Sequence, residues 1–265
     1  MALTFPKPMS HFDLDVGGFD RAAWRLNVEE LAQIDSKSYP TPIQLEKLMG
    51  QIKEGPSIRF PKKLIGVKEV WQRIVVDFVA ACNNPKYQSI TFDSATQLWS
   101  ICHRGYLQEV QERQVFRYTH DKDGNLIPGR EEKNFPGNEF REKLQSKEYG
   151  EPNDRMRSLI YAARSFGKHL ILTHYPKDVY AQRATDRGTE EYKTGGIEPD
   201  GFKDTQKLAD AVIWIDVEKS GKDAGKAFAK FTKCALVGLG TTATGLSIAP
   251  SYQGILDLQR SMTGG

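Results

Sequence analysis

The sequence predicts an α/β protein built on a doubly wound, mainly parallel sheet in a three-layer α/β/α arrangement, with an antiparallel hairpin toward the C-terminus. Three observations carry that expectation. Four short apolar runs lack the in-and-out alternation of half-exposed strands, as strands covered on both faces do. Amphipathic stretches of helical length separate them, and alternation of this kind implies right-handed crossovers. Several of the runs end in acidic or hydroxyl residues, which places polar groups where open α/β sheets bind ligands.

The first run is Met9 to Leu14, followed by Asp15 and two glycines. The next segment of clear periodicity is Val67 to Ala81, where Val67, Val70, Trp71, Ile74, Val75 and Phe78 recur at spacings of three and four and so share a helix face. A second strand is read at Gln88 to Phe92 and a second helix from Ala95 to about Phe116. A third helix is read from Asp154 to Phe166, with Asn153 as N-cap and Met156, Leu159, Ile160, Ala163 and Phe166 facing inward. The remaining strands are His169 to Leu172 and Ala211 to Val217. Residues Ser220 to Gly225 form a turn into Lys226 to Leu236, the return strand of a hairpin.

Two charged stretches interrupt this rhythm. Within 117–150, Asp123-Gly124-Asn125 is a hairpin-turn signal. The aspartates before Gly124 resemble the start of a calcium loop, but the later ligands are missing at the required spacing, so a turn is the better reading. Residues Lys177 to Lys207 follow a strand end and are expected to form a functional loop. The domain core is placed at 1–236, and 237–265, rich in Gly, Ser and Thr with one helical pattern at Ile255 to Leu258, is expected to pack weakly.

Composition sets the outer bounds. The 265 residues are 39% apolar and 27% charged, enough for one domain with a substantial core. No run reaches the roughly 18 apolar residues of a membrane span, and the N-terminus has no signal-peptide pattern, so a soluble, cytoplasmic protein is expected. The odd, scattered cysteines Cys82, Cys102 and Cys234 lie among apolar neighbours and read as small buried side chains. A net charge of +3 permits a nucleic-acid partner without arguing for one.

The strand tips carry the chemistry. A carboxylate at Asp93, just past a buried strand, can hold Mg²⁺ through water and so organise the phosphates of a nucleotide, with Ser94 beside it; either residue could instead cap the following helix. Asp15 stands at the end of the first strand, where Gly17 and Gly18 let the backbone turn away. Thr173 and His174 end the third, although His174 taken alone reads better as a structural histidine.

The order of short motifs resembles the RecA-like P-loop ATPases of phages that serve single-strand annealing and recombination. The chain shows Phe5-Pro-Lys-Pro8, Asp13-Leu-Asp-Val-Gly-Gly18, Phe92-Asp-Ser94, Leu172-Thr-His174, Ile197-Glu-Pro-Asp-Gly-Phe202 and Leu208-Ala-Asp-Ala-Val212, in that order over about residues 3 to 235. The resemblance implies ATP and Mg²⁺ as cofactors, single-stranded DNA as partner, a homo-oligomer, and the host cytoplasm as location. It implies Asp93 as the Walker B carboxylate, Asp15 as the acid that activates the attacking water, and Thr173 with His174 as the sensor of the γ-phosphate. Lys233 would reach a neighbouring subunit's nucleotide.

One departure is plain: the sequence contains no Gly-x-x-x-x-Gly-Lys-Ser/Thr loop. In Gly221-Lys-Asp-Ala-Gly-Lys-Ala227 the glycines are one residue too close and Ala227 replaces the hydroxyl, while Gly238 to Gly245 has no lysine. The resemblance therefore implies a chain that starts after the phosphate loop. In the family that loop's strand lies between the sensor strand and the next one. Strands 169–172 and 211–217 are then expected to stand two strand spacings apart, about 10 Å, or to collapse together, with low stability either way.

Two other readings compete. A non-hydrolysing DNA-binding or annealing module would use Lys177 to Lys193 and Arg130 to Lys147, with Tyr175, Tyr180 and Tyr192 stacking on bases. A two-metal nuclease would use Asp13, Asp15 and Asp93 but lacks further ligands that can be placed.

Overall fold

The computed structural model describes residues 1–42, 63–113, 116–120, 126–133, 141–185 and 188–264. It is an α/β fold with one four-stranded parallel sheet and three antiparallel sheets. The parallel sheet contains β1 (Met9–Asp13), β2 (Ile34–Ser38), β3 (Ser89–Asp93) and β6 (His169–Leu172), in the order β2-β1-β3-β6. Three of these strands are the apolar runs of the sequence. The fourth, β2, lies outside those runs because Ile34-Asp-Ser-Lys-Ser38 has a single apolar residue; it sits at the sheet edge with only Ile34 buried.

Alternate residues of β1 and β3 build the main core. Phe12, Ile90 and Phe92 meet Trp71, Ile74 and Phe78 of α3 (Val67–Asn83), Leu98 and Ile101 of α4 (Ala95–Glu112), and Met156 and Ala163 of α5 (Gly150–Ser165). On the other face Met9, His11 and Thr91 are buried, and the ring of Phe19, in α1 (Gly18–Ala23), lies 5.0 Å from that of His11. A short α2 (Val28–Leu31), opened by a capping box of Asn27 and Glu30, leads into β2.

Several boundaries differ from the expectation. Helix α5 begins four residues before Asp154; Asn153 lies inside it, and Pro152 is accommodated in the first turn, where its missing N–H is not needed. Phe166 ends outside the core, 49% exposed. Helix α4 stops at Glu112, and β4 (Phe116–His120) pairs antiparallel with β5 (Leu126–Lys133), as the hairpin signal implies; the turn Asp123-Gly124-Asn125 itself lies outside the described residues. The stretch expected as a functional loop is instead a long antiparallel hairpin, β7 (Pro176–Thr185) with β8 (Gly188–Pro199).

The main topological correction concerns 211–217. These residues form β9 (Ala211–Val217), which is not in the parallel sheet but pairs antiparallel with β10 (Ala227–Cys234), next to β11 (Ser247–Ile248). The tight turn at Ser220 to Gly225 dictates this, since Glu218 and Lys226 close the ladder and glycines 221 and 225 take left-handed φ. Residues beyond 237 also contribute to packing. Ser251 caps α7 (Tyr252–Thr263), and Ile255 joins Phe231, Cys234, Leu239 and Ala243 in a second core that Met1 and Phe5 also touch. All three cysteines are buried and unpaired, as expected. Among the described residues no helix is long and apolar enough to cross a membrane.

Candidate functional site at the strand tips

The parallel register puts Asp13 of β1 directly beside Asp93 of β3, and Phe92 beside Leu172 of β6. The C-terminal tips of three neighbouring strands therefore converge, as a crevice site requires. Thr173 follows β6 immediately and donates its hydroxyl to Asp93 Oδ1 at 2.6 Å. His11 Nε2 stands 3.9 Å from Asp93 Oδ2. His11, then Thr173 and the charge of Arg21, hold the Asp93 carboxyl below its ordinary range against the opposing effect of burial.

Asp15 lies one step further out, in the turn after β1. Asp13 organises that turn: its carboxylate accepts from the N–H of Asp15 at 3.2 Å and of Gly17 at 3.1 Å, and Asp13 itself is only 4% exposed. Val16 at φ 36° and Gly17 at φ 85° bring the chain back over the sheet, an unusual conformation for a β-branched residue. Gly18 then sits among the carboxylates. A Cβ there would lie 3.3 Å from Asp13 Oδ1, 3.5 Å from Asp15 Cβ and 3.8 Å from Asp93 Oδ2, so the three acids surround this position closely, Asp13 most tightly.

Not every predicted residue joins this cluster in the same way. Ser94 is buried, and its hydroxyl accepts from Gln97 N at 3.4 Å, so it caps α4, the second of the two roles its position allowed. His174 turns to the hairpin: Nδ1 meets the Asp200 carbonyl at 2.8 Å, while Nε2 is buried with no partner among the described residues. Burial pushes the ring's pKa below its ordinary value, partly offset by Asp200, which fits the structural reading of this histidine. Lys233 lies on the antiparallel sheet, and its Nζ donates to the carbonyls of Gln206, Lys207 and Ala209, closing the end of α6 (Thr205–Leu208). Within one chain it is a helix C-cap rather than a free basic finger.

Comparison of this chain with protein-family models, curated proteins and solved structures finds no match.

Three contributors to the site escaped the sequence reading. Asp13 stands out in the sequence only as a nuclease ligand, yet the strand register sets it directly opposite Asp93. His11 hid inside a strand, where a polar residue with Nδ1 on the Ser36 hydroxyl at 3.0 Å gives no linear signal. Tyr175, read as a base-stacking residue, donates its hydroxyl to Asp15. Among the described residues no group of three or more His, Cys, Asp or Glu side chains is arranged to hold a metal directly. An ion bridged through water to Asp93, as the sequence reading has it, needs only that one carboxylate.

Proposed function

We propose that this chain is the greater part of a RecA-like ATPase of the phage recombination type, which couples Mg-ATP hydrolysis to handling single-stranded DNA. The observation that carries the reading is the bond from Thr173 to Asp93 at the tips of adjacent parallel strands, with Asp13 and Asp15 gathered beside it around Gly18. In this reading Asp93 holds Mg²⁺ through water, and Thr173 keeps that carboxylate ionised and aimed. Asp15, in the turn beyond the strand tips, is the acid placed to take a proton from an attacking water. Mg²⁺ supplies charge neutralisation at the phosphates. Since the sequence has no Gly-Lys-Ser/Thr loop, the reading requires a phosphate cradle from outside these 265 residues.

The alternative, a DNA-binding module without hydrolysis, loses support at the hairpin on which it leaned. Lys177 pairs with Glu198, Arg183 with Glu190 and Lys193 with Asp178, so the basic side chains of β7 and β8 are matched by acids. The test is ATP turnover by a chain extended upstream to include a phosphate loop. Asp93→Asn should lower turnover by about a hundredfold or more, the scale of losing a group that organises transition-state charge. Wild-type turnover in that variant would sink the assignment.

A further inference from the structure

We propose that Tyr175 is a latch that couples the β7–β8 hairpin to the turn carrying Asp15. The inference takes its importance from the strand-tip reading above, but the contacts that make the latch do not depend on nucleotide.

Tyr175 is tied at both ends of its backbone and at the tip of its side chain. Its N–H donates to Thr96 Oγ1 at 3.1 Å, and its carbonyl accepts from Asp200 N at 2.8 Å. Thr96 in turn donates its hydroxyl to the Asp200 carbonyl at 2.8 Å, the same oxygen that meets His174 Nδ1. Thus the two chain ends of the hairpin, which begins its ladder at Pro176 opposite Pro199, are knotted to the first turn of α4. Gly201 allows the knot to close: at φ 126°, a Cβ there would lie 3.5 Å from both His174 Nδ1 and the Thr96 backbone.

From this knot the phenol reaches across the rim to Asp15. Asp15, more than burial, pushes the phenol up to about 12, with a further rise from the charge of Asp93 and a small opposing effect of Ser94. The residue at the other end of the bond is poised to move. The Asp15 turn contains the left-handed Val16, which is 60% exposed; the side chains that hold the turn are Asp13 below and Tyr175 above, and at its far end the Gly17 carbonyl accepts from Arg21 N. A ligand that draws Asp15 toward Asp93 must break the phenol bond and so loosen the hairpin root, which then keeps only its ties through Thr96 and Asp200. Conversely, a partner that pulls the hairpin releases Asp15.

Hydrogen exchange on the 265-residue chain without nucleotide tests the latch directly. Tyr175→Phe keeps the ring and deletes the donor; Asp15→Ala deletes the acceptor. Each should accelerate exchange about tenfold, the scale of one hydrogen bond to a charged group, both in the turn 14–18 and at the hairpin root 177–179 and 196–200. Peptides from β1 and β3 should keep wild-type protection, which establishes that the variants fold. The double variant should exchange no faster than the single ones, because both remove the same bond. Unchanged exchange at the hairpin root in Asp15→Ala, unchanged exchange in the turn in Tyr175→Phe, or additive acceleration in the double variant would each overturn the latch. Since no arm contains nucleotide, a failed ATPase assay and a failed latch are separate results.

Discussion

Asp93 shows how strand register turns a weak sequence signal into a specific environment. A carboxylate held below its ordinary value stabilises the fold above the unfolded value of 3.8, and that stability is lost as pH falls through the lower folded value. Thr173→Val removes one of the groups that lower it, so the variant should lose about 1 kcal/mol at neutral pH and show a shallower decline in acid, read by urea denaturation from pH 7 to pH 3. Two half-buried histidines act in the opposite sense. Burial holds both His103 and His174 below the ordinary 6.5, so the unfolded chain binds protons that the folded chain refuses. Stability should therefore fall as pH drops below about 6.5, and the pair of changes His103→Gln and His174→Gln should flatten that slope. Asp93 and Thr173 were legible because a strand end with a polar residue is a local pattern. Asp13, His11 and Tyr175 were not, because their roles arise from neighbours brought in by register: Asp13↔Asp93 across strands, and a phenol 160 residues from its carboxylate.

The helices were the most legible elements, and α3 shows both why and where legibility stops. Its period-3.6 stripe put Val67, Trp71, Ile74 and Phe78 in the core as expected. Its start carries no side-chain cap of its own, since Gly66 precedes it in a left-handed conformation. The cap comes instead from the neighbouring helix. Gln108 of α4, only 2% exposed, accepts from Val67 N at 2.9 Å and Lys68 N at 3.0 Å, and its amide donates to Glu69 and Glu112. Gln108→Leu fits the volume but strands two amide donors in a buried place, so it should lower stability by about 1–3 kcal/mol, measured by chemical denaturation, with helix content otherwise retained. Strand β2 and the placement of β9 were illegible for a related reason. An edge strand needs few apolar residues, and an apolar run can serve either a parallel or an antiparallel ladder until its connection is known.

At the scale of the molecule, the two larger sheets each end in an apolar strand whose outer edge has no partner among the described residues: β6 in the parallel sheet and β9 in the antiparallel one. Neither strand has the burial its composition suits. Leu170, Ile171 and Leu172 are partly exposed, and in β9 no residue is fully buried, with Ile215 at 51% and Val217 at 47% exposure. Natural edges are blunted by charge, proline or a bulge. Here β9 carries one acid, Asp216, and the register irregularity of its hairpin lies in β10, between Phe231 and Lys233. Of the two arrangements expected for 169–172 and 211–217, collapse into one sheet does not occur, since the two strands belong to different sheets. Half-exposed apolar strands with open edges favour pairing with a second copy. The chain should therefore associate with rising concentration through unpaired backbone, and Ile215→Lys together with Val217→Lys should suppress that association. Because both side chains are about half exposed, the substitutions should change the unfolding midpoint little. Sedimentation velocity over a range of concentrations decides the matter: wild-type chain that stays monomeric throughout, or lysine variants that associate as strongly as wild type, would show that the open edges do not govern its behaviour.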